Sequence, residues 1–129
     1  MSTDPQPVSV KVYQLKVSLR DISPMIWRRL LVTDTTTIAH LHDILQIALG
    51  WEDLHLHRFR IYGKAYGIYR VGGIIFDDNP YTVVLSDFKL RAGERFSYEY
   101  DLGDSWCHDI RLERIGTRQV LEQEMSLSH

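Results

Sequence analysis

FSYEYDLGDSWCHDIRLERI, residues 96–115, decides how this chain folds. Phe96, Tyr98, Tyr100 and Leu102 alternate with Ser97, Glu99 and Asp101, the period of a half-buried strand. After Gly103 the alternation resumes. Trp106, His108, Ile110 and Leu112 share one face, and Cys107, Asp109, Arg111 and Glu113 share the other. Leu102-Gly103-Asp104-Ser105 has turn composition, with Gly free to take positive φ and Asp able to bond its own backbone. The stretch therefore reads as a hairpin with an aromatic inner face and a charged outer face. Its tip gathers Asp101, Asp104, Trp106, Cys107 and His108.

Upstream, residues 8–19 read as a strand whose alternation slips. Val8, Val10 and Val12 are in one phase and Tyr13, Leu15, Val17 and Leu19 in the other, which predicts a bulge near Val12. Turn residues 20–24 lead to a second strand, 26–32. A helix over 38–49 follows. Ile38, Leu41, Leu45 and Ala48 form its apolar stripe, Thr37 is its N-cap and Gly50 its C′ residue. Trp51 should fold back over the helix end. HLHRFRIY, residues 55–62, reads as a third strand. Residues 63–79 form a glycine- and tyrosine-rich excursion, and Leu85-Ser86-Asp87-Phe88 a single helical turn. The expected organisation is a flexible arm over 1–7, one domain over 8–115 and a polar, fraying tail over 116–129.

The chain's 129 residues suit one domain with a core of its own, and 44% hydrophobic with 25% charged residues is ordinary for a globular protein. A net charge of −2 gives no global attraction to nucleic acid or anionic membrane. The lone cysteine cannot form an internal disulfide, and neither a signal peptide nor an apolar run of membrane-spanning length is present. The expected location is the cytoplasm, with no membrane partner.

The site expected from these residues joins the hairpin tip to the His-Leu-His run. Its candidate binding residues are Trp51, His55, His57, Asp101, Asp104, Trp106 and His108, with the two indoles as walls. His55 and His57, two apart on a strand, share a face and with His108 make a candidate ligand set for Zn, Ni, Mn or Fe. The competing expectation is that each histidine is satisfied separately by backbone or a carboxylate. Cys107 and His108 point to opposite faces, which argues against a Cys–His dyad. Arg58, Arg60 and Lys64 with Tyr66 form an alternative, nucleic-acid-binding set.

The element order resembles the ubiquitin-like β-grasp, an α+β fold in which a mixed sheet carries one main helix. Thr37-Ile38 and Leu85-Ser86-Asp87-Phe88 carry the local likeness. Three blocks, 13–32, 41–67 and 96–115, contain P-x-I-W-R-R, G-W-x-x-x-H-L-H-x-F and Y-x-Y-D-x-G-D-x-W-x-H. Together they resemble the plasmid pRiA4b ORF-3-like family, some of whose members are carried by mobile elements and labelled TnpR. The resemblance implies no established activity. Many relatives continue into a further segment, and if that segment completes a site or covers an edge, the resemblance implies that a chain ending here has lost the site or fills the gap by self-association. The residues do not suit a resolvase, since Ser18 lies inside a strand and there is one clear helix on a slightly acidic chain. The favoured expectation is a non-enzymatic binding module with an unknown protein partner. A metal-dependent hydrolase using His55, His57 and His108 and an accessory nucleic-acid-binding protein are the alternatives.

Overall fold

The computed structural model describes residues 10–53, 56–66, 79–101 and 106–127. The strands are β1 (Val12–Leu19), β2 (Trp27–Thr33), β3 (His57–Ile61), β4 (Lys64–Tyr66), β5 (Arg95–Tyr100) and β6 (Trp106–Gly116). The helices are α1 (Ile38–Leu49) and α2 (Arg118–Leu127), with a single 3-10 turn at Leu85–Phe88. The strands form one sheet in the order β2-β1-β6-β5-β3-β4. Among the described residues no helix is long and apolar enough to cross a membrane.

The α+β class holds, but the sheet is not the mixed one expected of a β-grasp. All five ladders are antiparallel. Sequence periodicity reports which face a residue lies on and says nothing of strand direction.

α1 forms where its stripe and caps predict. The Thr37 hydroxyl accepts from the His40 amide at 3.1 Å, and Gly50 takes φ 76° to close the C-terminus. Ile38, Leu41 and Leu45 are fully buried against Leu15, Val17, Phe59, Tyr98, Ile110 and Leu112 of the sheet.

Three local expectations change. β1 begins at Val12, and the slip in its pairing lies between Gln14 and Leu15. There Gln14 faces Arg114 and Leu15 faces Leu112, so the extra residue is Glu113 on β6, not one near Val12 on β1. The excursion after residue 62 opens with β4, joined to β3 by Tyr62-Gly63 at φ 51° and 81°, both in the left-handed region a two-residue hairpin favours. The polar stretch beyond 115 is regular secondary structure over most of its described residues, 116–127. It continues β6 to Gly116 and then forms α2, whose Leu121 is buried over Gly116. α2 covers the sheet face opposite α1, which is why Val12, Tyr13, Gln14 and Leu15 are all buried in succession. Its polar composition hid this, because one apolar anchor leaves little periodic signal.

Candidate functional site

The best-connected polar cluster joins α1, the segment after it and β5. His42 and Gln46, one turn apart on α1, are both buried beside the apolar stripe and reach the hydroxyl of Tyr98. Asp53 comes round from the helix C-terminus at φ 52°. Its backbone N–H donates to Gln46 Oε1 at 2.7 Å.

An amide N–H can only donate, so this bond orients the Gln46 carboxamide. Gln46 Nε2 then donates to the Tyr98 oxygen at 2.7 Å. With His42 Nε2 donating to the Asp53 carboxylate, the Nε2–H tautomer leaves Nδ1 to accept from the Tyr98 O–H, also at 2.7 Å. Burial pushes the phenol up from its ordinary range, so the hydroxyl keeps its proton for this bond. His42 Nε2 carries the ring proton and donates to Asp53 Oδ1 at 2.7 Å. The four side chains and one amide thus close a ring of four hydrogen bonds. The ring ends at the surface, since the Asp53 side chain is 42% exposed while that of His42 is fully buried.

His57 on β3 stacks on His42, with ring centroids 3.5 Å apart and planes 9° from parallel. Ligand atoms of His42, Asp53 and His57 lie within 4.8 Å of one another, the one such group among the described residues. The donor set suits a borderline divalent ion. Its present arrangement does not, for two reasons. The Nε2 of His42 bears a proton in the ring above. Two parallel imidazoles also direct their in-plane lone pairs side by side and not toward one point.

A second cluster adjoins the first. Trp51, placed by the Gly50 cap with its N–H on the Gln46 carbonyl at 2.9 Å, packs 5.1 Å from Tyr100 and 6.1 Å from Trp106. It meets His108 edge-on at 6.3 Å. His108 is fully buried, and its Nδ1–H donates to the Tyr98 carbonyl at 3.1 Å. Burial lowers its pKa, partly offset by bonds to the Tyr98 and Trp106 backbone, so the ring is neutral and Nε2 holds a lone pair. That nitrogen and the Trp51 indole N–H are buried with no hydrogen-bond partner among the described residues.

The histidine strand and the last hairpin therefore meet at Tyr98, which lies 6.0 Å from His57 and 5.5 Å from His108 between ring centroids. The two histidines sit on opposite sides of it, on β3 and β6 with β5 between. From the register their Cα atoms are roughly 12 Å apart, two strand spacings across and two residues along. Trp51 and Trp106 pack against each other at 6.1 Å between ring centroids, and Trp106 is 36% exposed. Asp101, at φ 58°, follows β5 with its N–H on the Leu56 carbonyl. His55 and Asp104, with their metal and binding roles, lie outside the described residues, as does the tip turn at 102–105. Of the nucleic-acid set, Arg58 is tied to Glu99 at 2.8 Å and Tyr66 is buried against Phe88, while Arg60 is exposed on the opposite sheet face. Lys64 is exposed at the β4 edge. Cys107 lies on the face away from His108, and burial raises its thiol pKa, so it carries no thiolate. His42, Gln46 and Asp53 are absent from the sequence-derived set. The signal for the first two is that they flank Leu41 and Leu45 at core-facing helical angles.

A model of the plasmid pRiA4b ORF-3-like protein family matches residues 11–127. The uncharacterized protein y4hQ of Sinorhizobium fredii (strain NBRC 101917 / NGR234) is 36% identical over 107 residues, covering 80% of this chain and 54% of that protein. The crystal structure of MM3350, a protein of unknown function from Methanosarcina mazei Go1, superimposes with a TM-score of 0.74 at 34% identity. It covers 86% of this chain and 64% of the other. The chain thus spans about half of the first relative's length and under two thirds of the second's.

Proposed function

The chain belongs to the plasmid pRiA4b ORF-3-like family, and from that premise we propose that it is a non-enzymatic binding module that receives a cationic group of a partner protein at the rim formed by Trp51, Asp53 and Trp106. One observation carries the reading. The buried ring spends His42, Gln46 and Tyr98 on holding a single surface carboxylate, that of Asp53, in a left-handed backbone conformation. A carboxylate held in this way pays little ordering entropy on binding. An ammonium or guanidinium group is its natural complement. Trp51, two residues before Asp53 in the chain, and Trp106, packed 6.1 Å from Trp51, would add cation–π attraction, worth about 0.5–2 kcal/mol depending on desolvation.

The test is a titration of the protein with short lysine- and arginine-containing peptides, followed by amide and indole NMR shifts. Cationic peptides should move the Trp51 and Trp106 indole signals, and acidic peptides should not. Asp53→Asn keeps an oxygen for His42 but removes the charge, so it should abolish the response without unfolding the chain. An unchanged response in that variant would refute the reading.

The close approach of His42, Asp53 and His57 favours a second reading, a divalent-ion centre. It requires His42 to give up its Nε2 proton and the Tyr98 ring bonds to rearrange. Elemental analysis of protein purified without a metal-chelating tag separates the two readings. One equivalent of Zn, Ni, Mn or Fe, lost on His57→Ala, would establish the centre.

A further inference from the structure

The sheet face away from α1 carries a transverse row of cations. Arg29 on β2 pairs with Lys16 on β1, Lys16 pairs with Arg111 on β6, and Arg111 pairs with Arg95 on β5. Their neighbours in sequence, Leu15, Leu30, Ile110, Leu112 and Phe96, all face the core or pack against it, so the four cations share the outer face. The row is continuous over four adjacent strands and spans roughly 14 Å. Like charges directly opposite one another are destabilising in a sheet.

The acids of this face are already taken. Glu113 holds Arg29 at 2.7 Å, Glu99 holds Arg58 at 2.8 Å and Asp109 holds Arg20. Arg60, Arg95 and Arg111 are exposed and have no ion pair among the described residues. At the row's end Trp27, 41% exposed, holds Lys16 and Arg29, each 5.1 Å from its ring centroid. This concentration stands on a chain of net charge −2, so it is local and not a reflection of composition.

We infer that this face binds a single-stranded nucleic acid, its phosphates along Arg29, Lys16, Arg111 and Arg95 and a base against Trp27. A phosphodiester strand carries a charge on every repeat, which matches a surface offering one cation per strand. An indole beside a basic groove is the stacking platform that sequence-tolerant single-strand binders use. An anion laid along the row also relieves the mutual repulsion of its members. The inference is independent of the rim of Trp51, Asp53 and Trp106, which lies on the other side of the sheet.

The test is fluorescence anisotropy of the full chain with labelled oligo-dT and oligo-U. With three to four phosphates neutralised, affinity should fall about 20- to 50-fold between 50 and 200 mM salt. Arg95→Gln with Arg111→Gln should remove most of the binding and flatten the salt dependence. Arg111→Lys should keep both, and Arg118→Gln on α2, which removes one charge outside the row, should change neither. Trp27→Ala should weaken binding roughly fivefold or more through lost stacking. Absence of binding at 50 mM salt, an equal loss in Arg118→Gln, or sedimentation with phosphatidylserine vesicles without oligonucleotide binding would each overturn the inference.

Discussion

The backbone N–H of Asp53 donates to Gln46 Oε1 at 2.7 Å, while the Asp53 carboxylate, which can only accept, takes the Nε2 proton of His42 at 2.7 Å. The amide donor and the carboxylate acceptor, both supplied by Asp53, fix the direction of the ring at its two ends.

That ring predicts the Nε2–H tautomer for His42. Long-range nitrogen–proton correlation spectra should show a protonated Nε2 and an unprotonated Nδ1. Tyr98→Phe leaves His42 Nδ1 and the Gln46 amide buried and unpaired, and should destabilise by about 1–3 kcal/mol for each group stranded. A loss under about 0.5 kcal/mol in denaturant unfolding would mean that water replaces the hydroxyl.

Leu45 is fully buried between α1 and the sheet. Leu45→Ala should cost about 2–5 kcal/mol through lost transfer energy and the cavity left behind. Urea denaturation measures it directly.

Leu121 anchors α2 against β1 and β6. Leu121→Ala should cost about 2–5 kcal/mol if the helix docks as described. It should also raise amide exchange at Val12 and Gln14, which α2 shields. A change near zero in both would return residues 116–127 to a fraying tail.

His108 is buried and its pKa is lowered from 6.5 by desolvation. The unfolded chain therefore binds a proton more readily than the folded one, so stability rises with pH in this window. The His108 contribution is complete above about pH 6.5 and is lost as pH falls below that value toward the depressed folded pKa. His108→Phe should flatten the profile between about pH 7 and 5 relative to the parent. Thermal melts across that interval read the difference.

Much of the fold was legible in the residues themselves. The hairpin of β5 and β6, the capped α1 and the turn at Leu85–Phe88 each announce themselves through neighbours in the chain. Phe96, Tyr98 and Tyr100 alternate whether or not the rest of the protein exists. Thr37 and Gly50 satisfy helix ends that any helix would leave open.

Strand order and direction, the docking of α2 and the hydrogen-bonded ring were decided only in three dimensions. His42 and Tyr98 are 56 positions apart, and nothing in either neighbourhood names the other. The helical angles of His42 and Gln46 turn them toward the core, but periodicity reports the angle of a side chain and not what stands opposite it. The cation row is hidden for the same reason. Lys16, Arg29, Arg95 and Arg111 are scattered along the chain, and only antiparallel register places them side by side. Contacts between distant segments depend on how loops close and which faces meet, quantities that belong to the packed chain and not to any stretch of it.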